Sequence, residues 1–534
     1  MDPKDNSLLR FSPLEEWLGQ LVFAQAFGRF RSIESENYKD LEKLVAQARI
    51  GGLKIYHGYA LGTAMLLRHL GQISPLPLLV AADLEQGLGQ QISDTPRFPA
   101  ISALGMADDE ELAYQAGQTI GKQALLLGIN MPFMPLLDVP STQEQYFGVR
   151  CLGSDAKQVT KIGTALIKGL QASGVFTVAK YFPGHGRQRF LPDGCTLIEV
   201  DKEIIERDAQ PFNQALKLGI DAIMVGPGAF PALDASTWIS DAQSPPAMLS
   251  KPICTGMLRH QMGFQGLIVS DALNLPFLRA RYSQRELAAQ AIRAGCDILV
   301  ALSHPKDALD SIDGIRDALD RGWVTEEQLQ KSISKIAALK ARTVSHQPIG
   351  SRALEDSPNA PGTDAELKLI EKIANASVKL IRGIPPHLSP ITKPVSLPFI
   401  VIGGYSTVEN LRADHWQPWH HTPLNSAISF SVHVLDHYSD ELLKQVVDSA
   451  NWGWVVMVLL ENTPTFSKLL RQTASLLMQS HIGVALILPV SQAQMQELSD
   501  CGDLVVWCAD FYQPSRTAAL NILIHNLLLK ESGS

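Results

Sequence analysis

Two stretches of this chain hold side chains with reactive potential at places where a fold would expose them. In Lys180-Tyr181-Phe182-Pro183-Gly184-His185-Gly186 an apolar run ends in a cation and then turns through Pro-Gly-His-Gly. A lysine there offers a charge-assisted donor to a polar ligand such as a sugar hydroxyl, and the glycines allow close approach to the backbone. In Leu267-Ile268-Val269-Ser270-Asp271 a carboxylate follows four residues that read as buried strand. Asp271 is there either as a helix N-cap or as a catalytic group. As a nucleophile it would have to stay ionised at neutral pH, which a nearby lysine or arginine favours. Asp83 and Asp138 close two further apolar runs, and Asp138 reads as a structural strand-end carboxylate. The aromatic and histidine cluster Trp416–His421 lacks a Cys or carboxylate at ligand spacing and reads as an exposed loop.

These groups are far apart in sequence, so the fold must gather them. Eight short apolar runs begin near Leu18, Gly51, Pro77, Asn130, Phe176, Asp221, Gly266 and Asp297. Rich in Val, Ile and Leu and bounded by Gly, Pro or polar residues, they read as parallel strands buried on both faces. Between them lie amphipathic stretches such as DAKQVTKIGTALIKGLQASG from Asp155, which reads as a helix closed by its glycine. Eight such units predict an α/β fold, a (β/α)8 TIM-type barrel, with a doubly wound open sheet as the alternative. The placement of Asp83, Asp138, Lys180 and Asp271 at the C-terminal ends of runs favours the barrel, which collects those ends around one mouth. Past a Pro-, Gly-, Ser- and Asp-rich stretch a new α/β alternation starts. The expected organisation is a barrel over 1–345, a linker over 346–365 and a smaller three-layer α/β sandwich domain over 366–534.

Composition excludes several classes. The 534 residues carry a formal net charge of −8 and a pI near 6.0, which argues against an electrostatic nucleic-acid binder. The six cysteines include no C-x-x-C pair, which disfavours a zinc ribbon or thioredoxin-type site and fits a reducing compartment. The first residues are polar and acidic, unlike a secretory leader, and the longest apolar runs fall short of the ~20 residues of a spanning helix. A soluble cytoplasmic protein with no membrane partner is expected. Its oligomeric state is left open.

The blocks AKYFPGHG and SPPAMLSKPICTGMLRHQMGFQGLIVSDALNL resemble signature segments of glycoside hydrolase family 3, in its β-N-acetylglucosaminidase branch. Asp83-Leu84-Glu85-Gln86-Gly87 is similar to that family's Asp-x-Glu-Gly-Gly, and Phe133–Val139 to its Ala-Pro-Val-Leu-Asp-Val. Phe147–Asp155 is similar to its Gly-x-Arg-Ser-Phe-Gly-Ser-Asp. The resemblance implies that Asp271 is the nucleophile of a retaining mechanism. It implies that Asp83, Arg150 and Lys180 bind sugar hydroxyls, with Tyr181 at a sugar-contacting position and His185 in the same loop. The implied substrate is a small saccharide, terminal β-linked N-acetylglucosamine in muropeptide- or chitin-type material, as in cell wall recycling, with no metal or organic cofactor.

The pattern breaks at the general acid. The family branch places Asp-Ser-His on the loop after its Lys-His-Phe-Pro-Gly-His-Gly motif; here Asp193 answers the Asp, and Cys195 stands at the histidine position. A thiol with a pKa near 8.5 suits the acid step poorly. Three readings stay open. Asp193 protonates the leaving group; His185 or a residue of the second domain does so; or the chain is a weak or inactive relative that binds sugar in a regulatory role. A β-glucosidase-type specificity is a further alternative. Leu88 stands where the acidic block of the family usually has an arginine.

Overall fold

Each of the eight apolar runs contributes one strand to a single parallel sheet. In a computed structural model of the protein, the residues described are 13–29, 36–141, 150–191, 194–236, 244–342 and 356–382, with shorter segments between 395 and 523. The strands are β1 (Val22–Phe27), β2 (Gly52–Tyr56), β3 (Leu79–Ala82) and β4 (Met131–Pro132), then β5 (Val178–Phe182), β6 (Ala222–Val225), β7 (Leu267–Ala272) and β8 (Ile298–Ala301). Their order around the sheet follows the chain, β4-β3-β2-β1-β8-β7-β6-β5. The two ends meet: Lys180 donates its N–H to Pro135 O at 3.0 Å, and Leu137 N–H donates to Lys180 O at 2.6 Å. The sheet is therefore a closed barrel, and the open-sheet alternative is set aside.

Helices fill the crossovers, among them α1 (Glu36–Ala46), α2 (Ala60–Ile73), α3 (Glu110–Leu127), α4 (Ala156–Ser173), α5 (Gln210–Lys217), α6 (Gln284–Ala294) and α7 (Pro305–Asp320), with α8 (Glu326–Lys340) following. The segment from Asp155 folds as its pattern predicts. Asp155 caps α4 by accepting the Gln158 N–H at 2.9 Å, and Gly174 ends it in the left-handed region at φ 93°.

Two runs depart from the strand pattern. Leu14–Leu21 winds as a 3-10 turn, so β1 starts only at Val22. The run from Asn130 yields just two strand residues, because Pro132 and Pro135 have no N–H to give a ladder. A small antiparallel hairpin, Arg189–Phe190 with Thr196–Leu197, has too few residues for any alternation to announce it.

The strand starts at the N-terminal end are pinned by polar residues that precede them. Asn130 accepts the Val80 N–H at 2.8 Å and donates to Leu78 O at 3.0 Å. Asp221 accepts the Thr177 N–H at 2.8 Å, and Asp297 the Ile268 N–H at 2.8 Å. Each ties its own strand to a neighbour, which fixes the register between parallel strands.

The chain divides into two compact units. The first holds the barrel and runs to residue 369; the second comprises 99–107, 142–150 and 370–534. The described part of the second contains a six-stranded sheet of β9 (Lys379–Arg382), β10 (Val395–Ile402), β11 (Ile428–Leu435), β12 (Trp454–Leu459), β13 (Gly483–Pro489) and β14 (Leu504–Cys508). The order is β9-β14-β13-β12-β10-β11, parallel except for β9. The helix Pro464–Gln479 packs on it through Leu470, Ala474 and Leu477 against Val455, Met457 and Leu486. Among the described residues no helix is long and apolar enough to cross a membrane.

Candidate active site

The C-terminal ends of β2, β3, β5 and β7 bring together a group of charges. Lys54 and Tyr56, two residues apart on β2, share a face of that strand, and the Lys54 ammonium lies 4.9 Å from the Tyr56 ring centre. Asp83 stands just past β3, with both carboxylate oxygens engaged. Its Oδ1 is 2.7 Å from Lys180 Nζ, and its Oδ2 is 2.8 Å from Lys54 Nζ. Glu85 Oε1 lies 2.6 Å from the same Lys180 Nζ. Lys180, Lys54 and Glu85 are buried, whereas Asp83 keeps 20% of its side chain exposed. Asp271, at the end of β7, is partly buried and accepts the Ala272 N–H at 2.7 Å.

Electrostatics ties these groups into one site. Burial alone would raise Asp83, but the Lys180 and Lys54 charges outweigh it and hold the carboxyl well below the usual carboxylate range. Burial pushes the Lys54 ammonium down, and the adjacent Asp83 carboxylate more than reverses this, so Lys54 stays protonated. Asp271 is raised by burial. Lys54, the Ala272 amide and Lys180 oppose that rise, while Asp83 adds to it. Asp271, Lys54, Asp83 and Lys180 thus feel one another's charge. The arrangement can grip hydroxyls with ammonium and carboxylate groups while presenting a further carboxylate to an electrophile.

His185 has a different part from the one the resemblance implies. Its ring is fully buried, its Nε2 accepts the Gly228 N–H at 2.8 Å, and its Nδ1 lies 3.2 Å from Tyr181 O. That pattern requires the proton on Nδ1, and burial lowers the group to about 4. The backbone N–H of His185 donates to Asp138 Oδ1 at 2.8 Å. A neutral imidazole with both nitrogens occupied by main chain braces the loops. The space is made by small neighbours, since a Cβ on Gly228 would come within 2.6 Å of the ring. Tyr181 is partly buried, packs edge-to-face on His185 at 5.9 Å and lies 5.5 Å from Lys180 Nζ.

Cys195 is 2% exposed and its thiol points to Thr196 O at 3.7 Å, at the base of the small hairpin. Asp193 and Trp416–His421 lie outside the described residues. Arg150 is grouped with the second unit. Lys54 and Tyr56 were missed in the sequence. The available signal was a lysine inside GGLKIYHG, an otherwise buried parallel strand where a cation needs a partner. Glu85, in the same block as Asp83, is a direct partner of Lys180. Among the described residues no cluster of three His, Cys, Asp or Glu could hold a metal ion.

A family model described as the glycosyl hydrolase family 3 N-terminal domain matches residues 13–339, the whole barrel. The chain belongs to glycosyl hydrolase family 3. This family 3 chain is 26% identical over 355 residues to a β-N-acetylglucosaminidase/β-glucosidase of Cellulomonas fimi, a match covering 64% of the chain and 61% of that protein. It is 27% identical over 370 residues to β-hexosaminidase A of Pseudoalteromonas piscicida, again covering 64% and 61%. The chain therefore spans about three fifths of the length of these two relatives. Among solved structures, a family 3 β-N-acetylglucosaminidase from Paenibacillus sp. superposes with a TM-score of 0.80 at 25% identity, over 97% of both chains.

Proposed function

We propose that this protein is a retaining, exo-acting glycoside hydrolase that releases terminal β-linked N-acetylglucosamine from small muropeptide- or chitin-type saccharides. The observation that carries the reading is the shared electrostatic field of Asp271, Lys54, Asp83 and Lys180 at one end of the barrel. The names of the Cellulomonas fimi and Pseudoalteromonas piscicida relatives support the sugar class.

In this mechanism Asp83 accepts from, and Lys180 donates to, hydroxyls of the sugar ring, holding the anomeric carbon over Asp271. The Asp271 carboxylate attacks that carbon, the glycosidic C–O bond breaks, and the departing oxygen takes a proton. Water then attacks the glycosyl-enzyme and returns the carboxylate, with net retention. Asp193 is the proposed proton donor, with Tyr181 and Arg150 as further sugar contacts. The proposed setting is the cytoplasm, in turnover of cell-wall saccharides.

Burial of Cys195 at the usual acid position favours a second reading, a sugar-binding protein with little turnover. Loss of a general acid typically costs about 10²- to 10⁴-fold in rate. Incubation with 4-nitrophenyl β-N-acetylglucosaminide and the β-glucoside decides between them. Wild type is expected to hydrolyse the first faster, and Asp271→Asn to lose about 10³-fold or more. Saturable sugar binding without turnover would establish the second reading, and activity surviving in Asp271→Asn would remove Asp271 as nucleophile.

A further inference from the structure

The sequence block that announces the site places its positive charge at Lys180. The geometry points to a division of labour instead. Lys180 Nζ is held by two carboxylates, Asp83 at 2.7 Å and Glu85 at 2.6 Å, so its charge is largely spent on the β3 turn. Lys54 Nζ has one carboxylate at ion-pair distance, Asp83 at 2.8 Å. Among the described residues it also meets Tyr56, by a side-chain hydrogen bond and with the ring centre at 4.9 Å, and the Phe133 ring at 5.5 Å. An ammonium against aromatic faces and away from bulk water exerts its charge over a longer range than an exposed one.

We propose that Lys54 is the second charge anchor of this site, a positioning residue whose single ammonium fixes Asp83 and supplies the counter-charge to the carboxylate of Asp271. The charge it supplies comes from β2, while Leu88, at the position where the resemblance expects an arginine, is buried and apolar.

Among the described residues, few ionisable groups act on Asp271. Its sheet neighbours β6 and β8 read AIMV and ILVA and carry no ionisable side chain. The titratable groups that act on it come from β2 (Lys54 and Tyr56), from the turn after β3 (Asp83) and from β5 (Lys180), with Glu85 paired to Lys180. Of the favourable influences on its ionised form, Lys54 is the largest, ahead of the Ala272 amide and of Lys180.

The inference depends on the hydrolase reading only for its activity arm. The primary test titrates Asp271 directly, by carboxyl ¹³C NMR of aspartate-labelled protein, with Asp271→Asn to assign the signal. Lys54→Met and Lys54→Gln are expected to move the Asp271 midpoint up by about one pH unit, a tenfold gain in proton affinity, and Lys54→Arg to stay near wild type. The acid limb of kcat/KM on the N-acetylglucosaminide is expected to move with it. A folded neutral variant with an unchanged midpoint overturns the proposal, as does an arginine variant that titrates like a neutral one. Should the neutral variants not fold, Lys54→Arg decides alone: an Asp271 midpoint raised by about one pH unit above wild type overturns the proposal, and one near wild type supports it. A wild type inert toward every glycoside would sink the hydrolase reading and leave the titration result standing.

Discussion

The two ends of the barrel both bury charge, and they do so in different ways. At the N-terminal end the charges are bound to the main chain. Asp297 Oδ2 takes the Ile268 N–H and Arg259 Nη2, its Oδ1 takes Ser332 Oγ at 2.6 Å, and Arg259 donates to Phe264 O and Gly266 O. A cleft of about 310 Å³ opens on that face beside Asp221, Lys335 and Arg342, but its cations are paired, Arg342 with Asp221 and Lys335 with Asp297. At the C-terminal end the charges are bound mainly to one another. Asp83, Glu85, Lys54 and Lys180 interlock through side chains, and among the described residues Asp271 takes one hydrogen bond, from the Ala272 amide. A carboxylate saturated by backbone donors stabilises a turn. One that keeps acceptor capacity beside cations can meet a ligand.

The contrast can be attacked from either end. The largest effect is expected at the mouth. Lys180→Met leaves Asp83 short of one partner and Glu85 without the ammonium, which should cost about 3–5 kcal/mol of stability. The same change should lower kcat/KM on the N-acetylglucosaminide about 100-fold or more. Melting curves and initial rates check both, and a stable, fully active variant would break the comparison. At the other end, Asp297→Ala removes the acceptor of three donors and should destabilise by about 3 kcal/mol. The rate per folded molecule should stay at its wild-type value, so a fall in that rate would mean the two ends are not separable.

The smallest effect concerns Lys340, buried at the end of α8 and donating to Gln20 Oε1 at 2.7 Å. Burial lowers this ammonium to about 7, while the unfolded chain keeps the proton to about 10.4. Between those values the unfolded state binds more protons, so stability rises with pH from about 7 upward and the penalty is greatest below 7. Wild type should gain about 2–4 °C in Tm over Lys340→Met between pH 7 and 9.5 by calorimetry. Parallel Tm profiles for the two proteins would show that the folded state does not favour loss of that proton.

The barrel was legible because doubly buried parallel strands leave uninterrupted apolar runs, each bounded by turn residues. What was not legible was sidedness. Lys54 sits in a run like its neighbours, and a sequence does not show which alternate residues face inward or which carboxylate crosses to meet them. His185 failed for the same reason: its block suggests a ligand contact, yet burial and two main-chain partners make it a brace. The Leu258-Arg259 to Gly266 block carries family likeness, and the structure assigns its arginine to holding the turn before β7 and Asp297. A signature can record folding as readily as chemistry.

His185 joins three consecutive exits from the barrel: its backbone N–H holds Asp138 past β4, and its ring holds Tyr181 within β5 and Gly228 past β6. These cannot swing apart without stripping a buried ring of its partners, so that rim is a fixed jaw. The rim past β1 and β2 is less tied, and there Phe27 and Tyr59 stand half out in solvent at 52% and 50% exposure. If the proposed hydrolase reading holds, aglycone breadth is the property to engineer from the β1 and β2 rim.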